Sequence, residues 1–245
     1  MKTAIIIPSR MSSKRFPNKP MAKINGIPMI ERVWKQGINS KIGDVYVACS
    51  EDEVFNLISS KGGKAIMTDP NLPSGTDRVF AAFNLLDNKD EYESIINLQG
   101  DMPLIDSINI KSVNIPLENG YDIGTIATEI SNEEEKNENI TKVSIDWKKE
   151  DVVGNSLDFY KFSKKQFTNI YQHVGIYSFK PIALRRFVSL PASKNEIDRK
   201  LEQLRAIDAG IKIGITYVEN VPISVDTLED LILIENILKN RNEHK

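Results

Sequence analysis

The first feature able to do chemistry is a run of cations near the N-terminus. Residues 1–30 hold Lys2, Arg10, Lys14, Arg15, Lys19 and Lys23 and no Asp or Glu, in a chain whose formal net charge is −2. Arg10, Arg15 and Lys19 are spaced along a segment stiffened by Pro17 and Pro20. Arginine grips phosphate through a planar fork and lysine supplies a point charge, so three such groups converging would suit a triphosphate. The plainer alternative is a solvated basic face, which is what most charge runs are. Neither G-x-x-x-x-G-K-[ST] nor G-x-G-x-x-G occurs, which disfavours a P-loop and a nicotinamide enzyme.

Two carboxylates could serve a metal. Asp101 follows an apolar stretch in Gln99-Gly100-Asp101-Met102-Pro103, and Asp226 lies in Ser224-Val225-Asp226-Thr227. Mg²⁺ is usually held by one or two carboxylates together with substrate phosphates. Asp101 could equally be a turn-former and Asp226 the residue before a helix cap, and spacing alone does not choose. Arg78, His173, Glu202 and Gln203 are weaker candidates. By default Arg78 is a surface residue opening a helix, and His173, one of two histidines, is a packed side chain. Glu202 and Gln203 would face solvent on a helix that turns Leu201 and Leu204 inward.

The elements that must carry these residues follow from periodicity. Thr3–Pro8 reads as a buried strand and Ser9–Gly26 as a long loop holding five of the six cations, a length that is usually functional. A helix is expected from Pro28 to about Asn39, then strands at Val45–Ala48 and Lys64–Met67 around a helix opened by a Ser50/Glu53 capping box. A helix over Arg78–Leu86 and a strand over Ser94–Leu98 complete a β-α alternation typical of a parallel sheet with flanking helices. Ligands of such sheets sit beyond the carboxyl ends of strands, so the loops after Pro8 and Leu98 should share one crevice. Further on, strands are expected at Ile123–Ile130, Lys142–Ile145, Val174–Phe179 and Lys212–Val218. Helices are expected at Pro181–Val188, at Asp198–Ala209, and after a Thr227/Asp230 capping box. Lys148–Ile170 is too polar to assign.

Composition sets the outer bounds. The chain has 245 residues, 40% hydrophobic and 27% charged, the balance of a soluble globular protein. Its near-neutral charge argues against general nucleic-acid binding. Ile5-Ile6-Ile7 is too short for a signal-peptide core or a membrane span, and the lone Cys49 makes neither an internal disulfide nor a cysteine-rich zinc site. A cytoplasmic protein with no membrane partner is expected.

Taken together, the motifs resemble the 3-deoxy-manno-octulosonate (Kdo) cytidylyltransferases, or CMP-Kdo synthetases, from Ile5 to about Leu233. The anchors are Ile7-Pro8-Ser9-Arg10 with Ser13, Arg15, Pro17, Lys19 and Pro20, then Ser74-Gly75-Thr76-Asp77-Arg78 and Asn97-Leu98-Gln99-Gly100-Asp101. His173-Val174-Gly175-Ile176-Tyr177, Leu201-Glu202-Gln203-Leu204-Arg205 and Val225-Asp226-Thr227 complete them. The first block marks only the wider nucleotidyltransferase superfamily, whereas the His173 and Leu201 blocks are more specific.

The resemblance implies an α/β fold of the nucleotide-diphospho-sugar transferase kind, with a Rossmann-like mixed sheet flanked by helices. It implies one cytidylyltransferase domain over residues 1–245. A nucleotide-binding part would cover about 1–120 and 210–245, and a sugar-binding and dimerisation part about 121–209. The implied reaction is Mg²⁺-dependent transfer of CMP from CTP to Kdo, for lipopolysaccharide biosynthesis, by a homodimer. Arg10, Arg15 and Lys19 would bind the triphosphate, Ser74 and Gly75 would lie by the cytosine, and Asp101 and Asp226 would ligate Mg²⁺. Arg78, Gln99, Lys164, His173, Tyr177, Glu202 and Gln203 would surround the sugar acid.

Three positions depart from the family pattern. Asn18 stands where glycine is usual, though asparagine tolerates left-handed backbone. Met102 replaces an acidic residue, and Lys164 an arginine, which is no equivalent fork for a carboxylate. The Lys164 change keeps 8-amino-Kdo or a related sugar acid open as the acceptor, and a non-catalytic nucleotide-binding module is the remaining alternative. The apolar Phe179–Leu190 region is the expected place for a subunit interface.

Overall fold

A computed structural model describes residues 1–12, 16–147, 152–162 and 168–243. Its strands are β1 (Thr3–Pro8), β2 (Lys23–Ile24), β3 (Ile27–Pro28), β4 (Gly43–Cys49), β5 (Lys64–Met67), β6 (Ser94–Asn97), β7 (Ile123–Thr128), β8 (Lys142–Asp146), β9 (Val153–Tyr160), β10 (Ile170–Phe179) and β11 (Ile213–Tyr217). The helices are α1 (Met29–Ser40), α2 (Asp52–Ser60), α3 (Gly75–Asn84), α4 (Ser107–Ser112), α5 (Ile115–Glu118), α6 (Asn132–Glu135), α7 (Pro181–Ser189), α8 (Lys194–Arg199), α9 (Leu204–Asp208) and α10 (Leu228–Glu243). They fall into two compact units, one of Lys2–Tyr92, Asn97–Ile110 and Pro222–Lys245, the other of Met1, Glu93–Ile96 and Lys111–Val221.

In the first unit β1 pairs in parallel with β4, Thr3 opposite Gly43 through Pro8 opposite Ala48, and β4 pairs in parallel with β5. Ala4, Ile5, Ile6 and Ile7 are all fully buried, as expected of a parallel strand covered on both faces. The α1 residues Met29, Ile30 and Val33 are buried too, and Gly37 lets that helix approach Val45. Leu98 N–H donates to the Ile6 carbonyl at 3.1 Å, so the chain after β6 emerges beside the end of β1. The crevice expected from the sequence therefore forms.

Within the Ser9–Gly26 segment, residues 16–26 carry regular structure. Asn18, at φ 56°, opens a 3-10 turn over Lys19–Met21, and β2 and β3 form a hairpin. Asn25 and Gly26 at the hairpin tip both have positive φ, 46° and 77°, so the Asn-Gly pair does there what it does in two-residue hairpins. Ile24, Met29, Val225, Leu231 and Ile234 form one buried cluster, with Phe16, Ala22, Leu104, Ile223 and Leu238 packed against it. That cluster ties the basic loop to the segment holding Asp226.

The second unit orders its strands β6-β10-β7-β11-β9-β8, with β10 also pairing β8. β10 runs antiparallel to β7 with a bulge between Val174 and Tyr177, and β11 runs parallel to β7 and antiparallel to β9. Because β11 is paired on both sides here, residues 210–221 fall with this unit, whereas the sequence groups 210–245 with the nucleotide part.

Local expectations are corrected at four places. Ser50 caps nothing: α2 has Glu51 at its N-cap position, and the Ser50 hydroxyl donates to the Glu51 carboxylate at 2.9 Å. α3 begins at Gly75 rather than Arg78, because the Ser74 hydroxyl accepts from Asp77 N–H. The polar span contains β9, whose Asn155, Ser156 and Asp158 mask a strand that buries Val153, Phe159 and Tyr160. The Asp198–Ala209 helix is broken in two: Ser193 and Glu196 form a capping box for α8, and Lys200 at φ 56° ends it before α9. In the Phe179–Leu190 stretch, where a subunit interface is expected, Phe179, Ala183, Leu184 and Phe187 are buried and Ile182 is the exposed large apolar residue.

The Thr227/Asp230 box does form. Asp230 N–H reaches Thr227 Oγ1 at 3.3 Å, while the Asp230 carboxylate accepts from the N–H groups of Asp226 and Thr227 at 2.8 Å each. Burial raises the Asp230 carboxyl, but those bonds outweigh it and hold the group below its ordinary value. Thr227→Ala should cost about 1 kcal/mol, a fall of roughly 2–4 °C in a thermal unfolding scan, with the fold unchanged by circular dichroism.

Candidate active site

The crevice is a cavity of about 790 Å³ in the first unit, lined by Pro8, Ser9, Arg10, Lys19, Ser74, Gly75, Arg78, Gln99, Gly100, Asp101 and Asp226 among others. Eight of the residues singled out in the sequence line it. Arg15 and Lys164 lie outside the described residues.

At its centre the Lys19 ammonium lies 2.8 Å from Asp101 Oδ2, 2.8 Å from the Val225 carbonyl and 3.5 Å from Asp226 Oδ1. Val225 N–H in turn donates to the Asp101 carbonyl at 2.8 Å, so main chain as well as side chain locks the two acidic segments together. The side chains of Lys19, Asp101 and Asp226 are 16%, 26% and 40% exposed, which leaves the group reachable from the cavity. Arg10 is exposed at the same cavity.

Arg78 is not the surface residue of the default reading: it is 2% exposed. Its Nη1 donates to Thr68 Oγ1 at 2.6 Å, while Nη2 is buried with no hydrogen-bond partner among the described residues. Burial lowers its proton affinity, and the nearby Arg10 adds to this while Glu51 opposes it; a guanidinium stays charged regardless. Gln99 is oriented by a buried relay, its Nε2 donating to Asn97 Oδ1 at 2.9 Å and Asn97 Nδ2 to Thr76 Oγ1 at 3.3 Å.

The α3 N-terminus opens on this cavity at Ser74 and Gly75, and the positive end of a helix dipole favours negative or acceptor groups. Two glycines here differ in kind. A Cβ on Gly100 would sit 2.9 Å from the Pro8 carbonyl, too close, whereas one on Gly75 would meet Pro8 and Gln99 no nearer than 3.5 Å. Gly100 is thus demanded by the protein's own backbone, and Gly75 is not.

His173, Tyr177, Glu202 and Gln203 gather in the second unit. His173 is 8% exposed, its ring 5.0 Å from Phe159 and 5.4 Å from Tyr177. Burial pushes its pKa down to about 3. The Thr125 hydroxyl, 2.8 Å from the Ile176 carbonyl and 3.2 Å from that of Val174, gives its one proton to the bulge, so it accepts from His173 Nε2 at 3.0 Å. That assigns the Nε2–H tautomer and leaves Nδ1 as an acceptor. Burial, then the nearby Glu202, raises the Tyr177 phenol well above its ordinary value. Glu202 and Gln203 lie in the turn before α9 and not on an exposed helix face; Gln203 is 9% exposed.

Sequence reasoning passed over Glu51, Thr68, Asn97 and Thr125 as supporting residues. Glu51 Oε1 accepts from Met11 N–H at 3.1 Å and pins the start of the basic loop. An acidic residue directly after the second apolar strand was the available signal. Thr68 and Thr125 had none, since their partners are far away in the chain.

A parallel α/β unit whose one cavity gathers cations with two carboxylates, one from the loop after β6 and one from the segment before α10, is arranged for nucleotidyl transfer. A cytidylyltransferase family model matches residues 4–213. The 3-deoxy-manno-octulosonate cytidylyltransferase of Paramagnetospirillum magneticum (strain ATCC 700264 / AMB-1) is 43% identical over 96% of this chain and 97% of its own. That of Brucella ovis (strain ATCC 25840 / 63/290 / NCTC 10512) is 40% identical over 94% of this chain and 93% of its own. A solved CMP:2-keto-3-deoxy-manno-octonic acid synthetase complexed with CTP is 29% identical, with a TM-score of 0.88 over 98% of this chain and 100% of that one. The 4-diphosphocytidyl-2C-methyl-D-erythritol synthase of Anaerococcus prevotii DSM 20548, 11% identical with a TM-score of 0.66, shares the fold. The chain belongs to the 3-deoxy-manno-octulosonate cytidylyltransferase family. Among the described residues no helix is long and apolar enough to cross a membrane.

Two outcomes follow from this geometry. The folded chain keeps His173 neutral while the unfolded chain protonates it below about 6.5. Its contribution to stability is therefore intact above that pH and is lost as pH falls toward 3. Ring ¹⁵N NMR at about pH 5 should find a neutral Nε2–H imidazole, and His173→Gln should flatten the acid-side fall in denaturant stability. Gly100→Ala should lower the melting temperature, while Gly75→Ala should leave it within about 1 °C and instead weaken nucleotide binding in a titration.

Proposed function

We propose that this chain transfers the cytidylyl group of CTP to Kdo, giving CMP-Kdo and diphosphate for lipopolysaccharide assembly. The observation that carries the reading is one cavity uniting Arg10, Lys19 and Arg78 with the Asp101–Asp226 pair, in a chain of this family. In this reading Arg10, Arg15 and Lys19 bind the triphosphate, and Ser74 and Gly75 meet the cytosine at the α3 N-terminus. Arg78, Gln99, Lys164, His173, Tyr177, Glu202 and Gln203 bind the sugar acid.

The anomeric oxygen of Kdo forms a bond to the α-phosphorus as the bond from that phosphorus to the diphosphate oxygen breaks. No covalent enzyme intermediate is needed, so the protein's work is alignment and charge neutralisation. Arg10 and Lys19 offset charge accumulating on the departing diphosphate. Arg78, with one nitrogen unspent, offers a fixed donor at the cavity wall. His173, so poor a proton acceptor, serves the sugar as a hydrogen-bonding partner and not as its base.

Asp101 and Asp226 are the residues that would hold Mg²⁺. Their oxygens already surround one cationic group, which fits a hard cation, and no cluster of three or more metal-binding side chains occurs among the described residues. Substrate phosphates would therefore complete the coordination. Bound there, Mg²⁺ supplies Lewis-acid neutralisation of the phosphoryl oxygens. Consumption of CTP puts the reaction in the cytoplasm. A homodimer is consistent with Ile182 and Ile197, 75% and 63% exposed on the second unit, and light scattering at micromolar concentration tests it.

The deciding assay is diphosphate release from CTP and Mg²⁺ with and without Kdo, with UTP and ATP as nucleotide controls and 8-amino-Kdo as a second acceptor. Release should require both CTP and Kdo; release with 8-amino-Kdo alone would reassign the acceptor, and CTP binding without release would overturn the transferase reading. Asp101→Asn should keep its fold by circular dichroism and lose about 10³-fold or more in kcat.

A further inference from the structure

Lys19 does more in this fold than wait for a phosphate. An ammonium has three N–H donors, and the three groups around Nζ are Asp101 Oδ2, the Val225 carbonyl and Asp226 Oδ1. Two partly buried carboxylates brought to one point repel each other unless a cation stands between them. The backbone under Lys19 is fixed: Asn18 holds its left-handed turn, Met21 N–H bonds the Asn18 carbonyl at 2.9 Å, and Pro20 is buried. The side chain alone is free to turn away.

We infer that Lys19 is a resident counter-ion for the Asp101–Asp226 pair, keeping it assembled before substrate arrives and competing with a divalent cation for the same oxygens. The inference rests on the reading that these two carboxylates are the metal ligands. Lys19 must release them when the metal enters, and the triphosphate gives its ammonium the replacement partner. Metal and nucleotide binding are coupled through this one side chain: a divalent ion alone displaces Lys19 with nothing to receive it, and so binds weakly.

The test is Mn²⁺ binding to nucleotide-free protein, followed by the electron paramagnetic resonance signal of free Mn²⁺. Lys19→Met should bind Mn²⁺ about tenfold more tightly than the wild type, whereas a merely structural loss would weaken it. Lys19→Arg, which keeps the charge, should stay as weak as the wild type. In metal-free buffer Lys19→Met should melt below the wild type and recover with Mn²⁺; Lys19→Gln serves as the second variant should Lys19→Met fail to fold. Lys19→Met/Asp101→Asn should lose the gain. Mn²⁺ binding no tighter in Lys19→Met, yet still abolished by Asp101→Asn, overturns the counter-ion role and leaves the metal assignment standing. Binding indifferent to Asp101→Asn overturns the metal assignment, and the inference with it.

Discussion

The site depends on one electrostatic constraint: a single ammonium stands between carboxylates from two distant segments of the chain. Lys19 lies in the loop after β1, Asp101 in the loop after β6, and Asp226 ahead of α10. Ionic attraction alone would not assemble three such segments, because an exposed pair contributes about 1 kcal/mol at most. The meeting is arranged by apolar packing. Ile24, Met29, Val225, Leu231 and Ile234 bury together beneath it, and each such side chain contributes about 1.5–3 kcal/mol on burial. The Val225–Asp101 backbone bond then fixes the register. Packing brings the charges together, and the charges supply the selectivity.

Burial acts in the same sense on one polar group of each unit, with opposite outcomes for its charge. Arg78 and His173 are both nearly inaccessible, and for both the largest effect is that burial disfavours the charged form. A guanidinium has so high a proton affinity that it remains a cation, whereas an imidazole gives up its charge. The cavity of the first unit thus keeps cationic walls suited to phosphate. The second unit offers a neutral ring of fixed tautomer, suited to the hydroxyls of a sugar. Thr125 makes that difference specific, since its hydroxyl proton is committed to the carbonyls of the β10 bulge.

Legibility in the sequence followed the range of the forces involved. The β1-α1-β4-α2-β5-α3-β6 order was readable because buried parallel strands write themselves as apolar runs, and Ile5-Ile6-Ile7 is such a run. The strand-end rule then put Arg10 and Asp101 at one crevice with no other information. β9 was not readable because its buried positions include Ser156 and Gly154, small residues chosen for their neighbours across the sheet. The break between α8 and α9 had a local signal in Ser193 and Glu196, masked by the apolar spacing of Leu201 and Leu204. The roles of Thr68 and Thr125 were invisible, because hydrogen bonds to residues far along the chain leave no pattern in either local sequence, and that of Asn97 was only half visible, since it joins nearby Gln99 to distant Thr76.

The departures from the family pattern sort by the same logic. Asn18 occupies a left-handed position at φ 56°, where what matters is backbone conformation, and asparagine meets that demand nearly as well as glycine. Met102 is 6% exposed, so at this position the chain has a packed apolar side chain, and the carboxylates that line the cavity are Asp101 and Asp226. Gly100 and Gly75 draw the same line from the other side: one is fixed by a neighbouring carbonyl, the other by nothing inside the protein. A residue that the chain's own packing does not require, on the wall of a cavity, is held there by what the cavity receives. By that criterion the turn at Gly100 answers to the fold, and the α3 N-terminus would answer to the nucleotide of the proposed function. Lys19 would answer to both, because its ammonium joins Asp101 and Asp226 in the protein itself and, in the proposed function, meets the triphosphate.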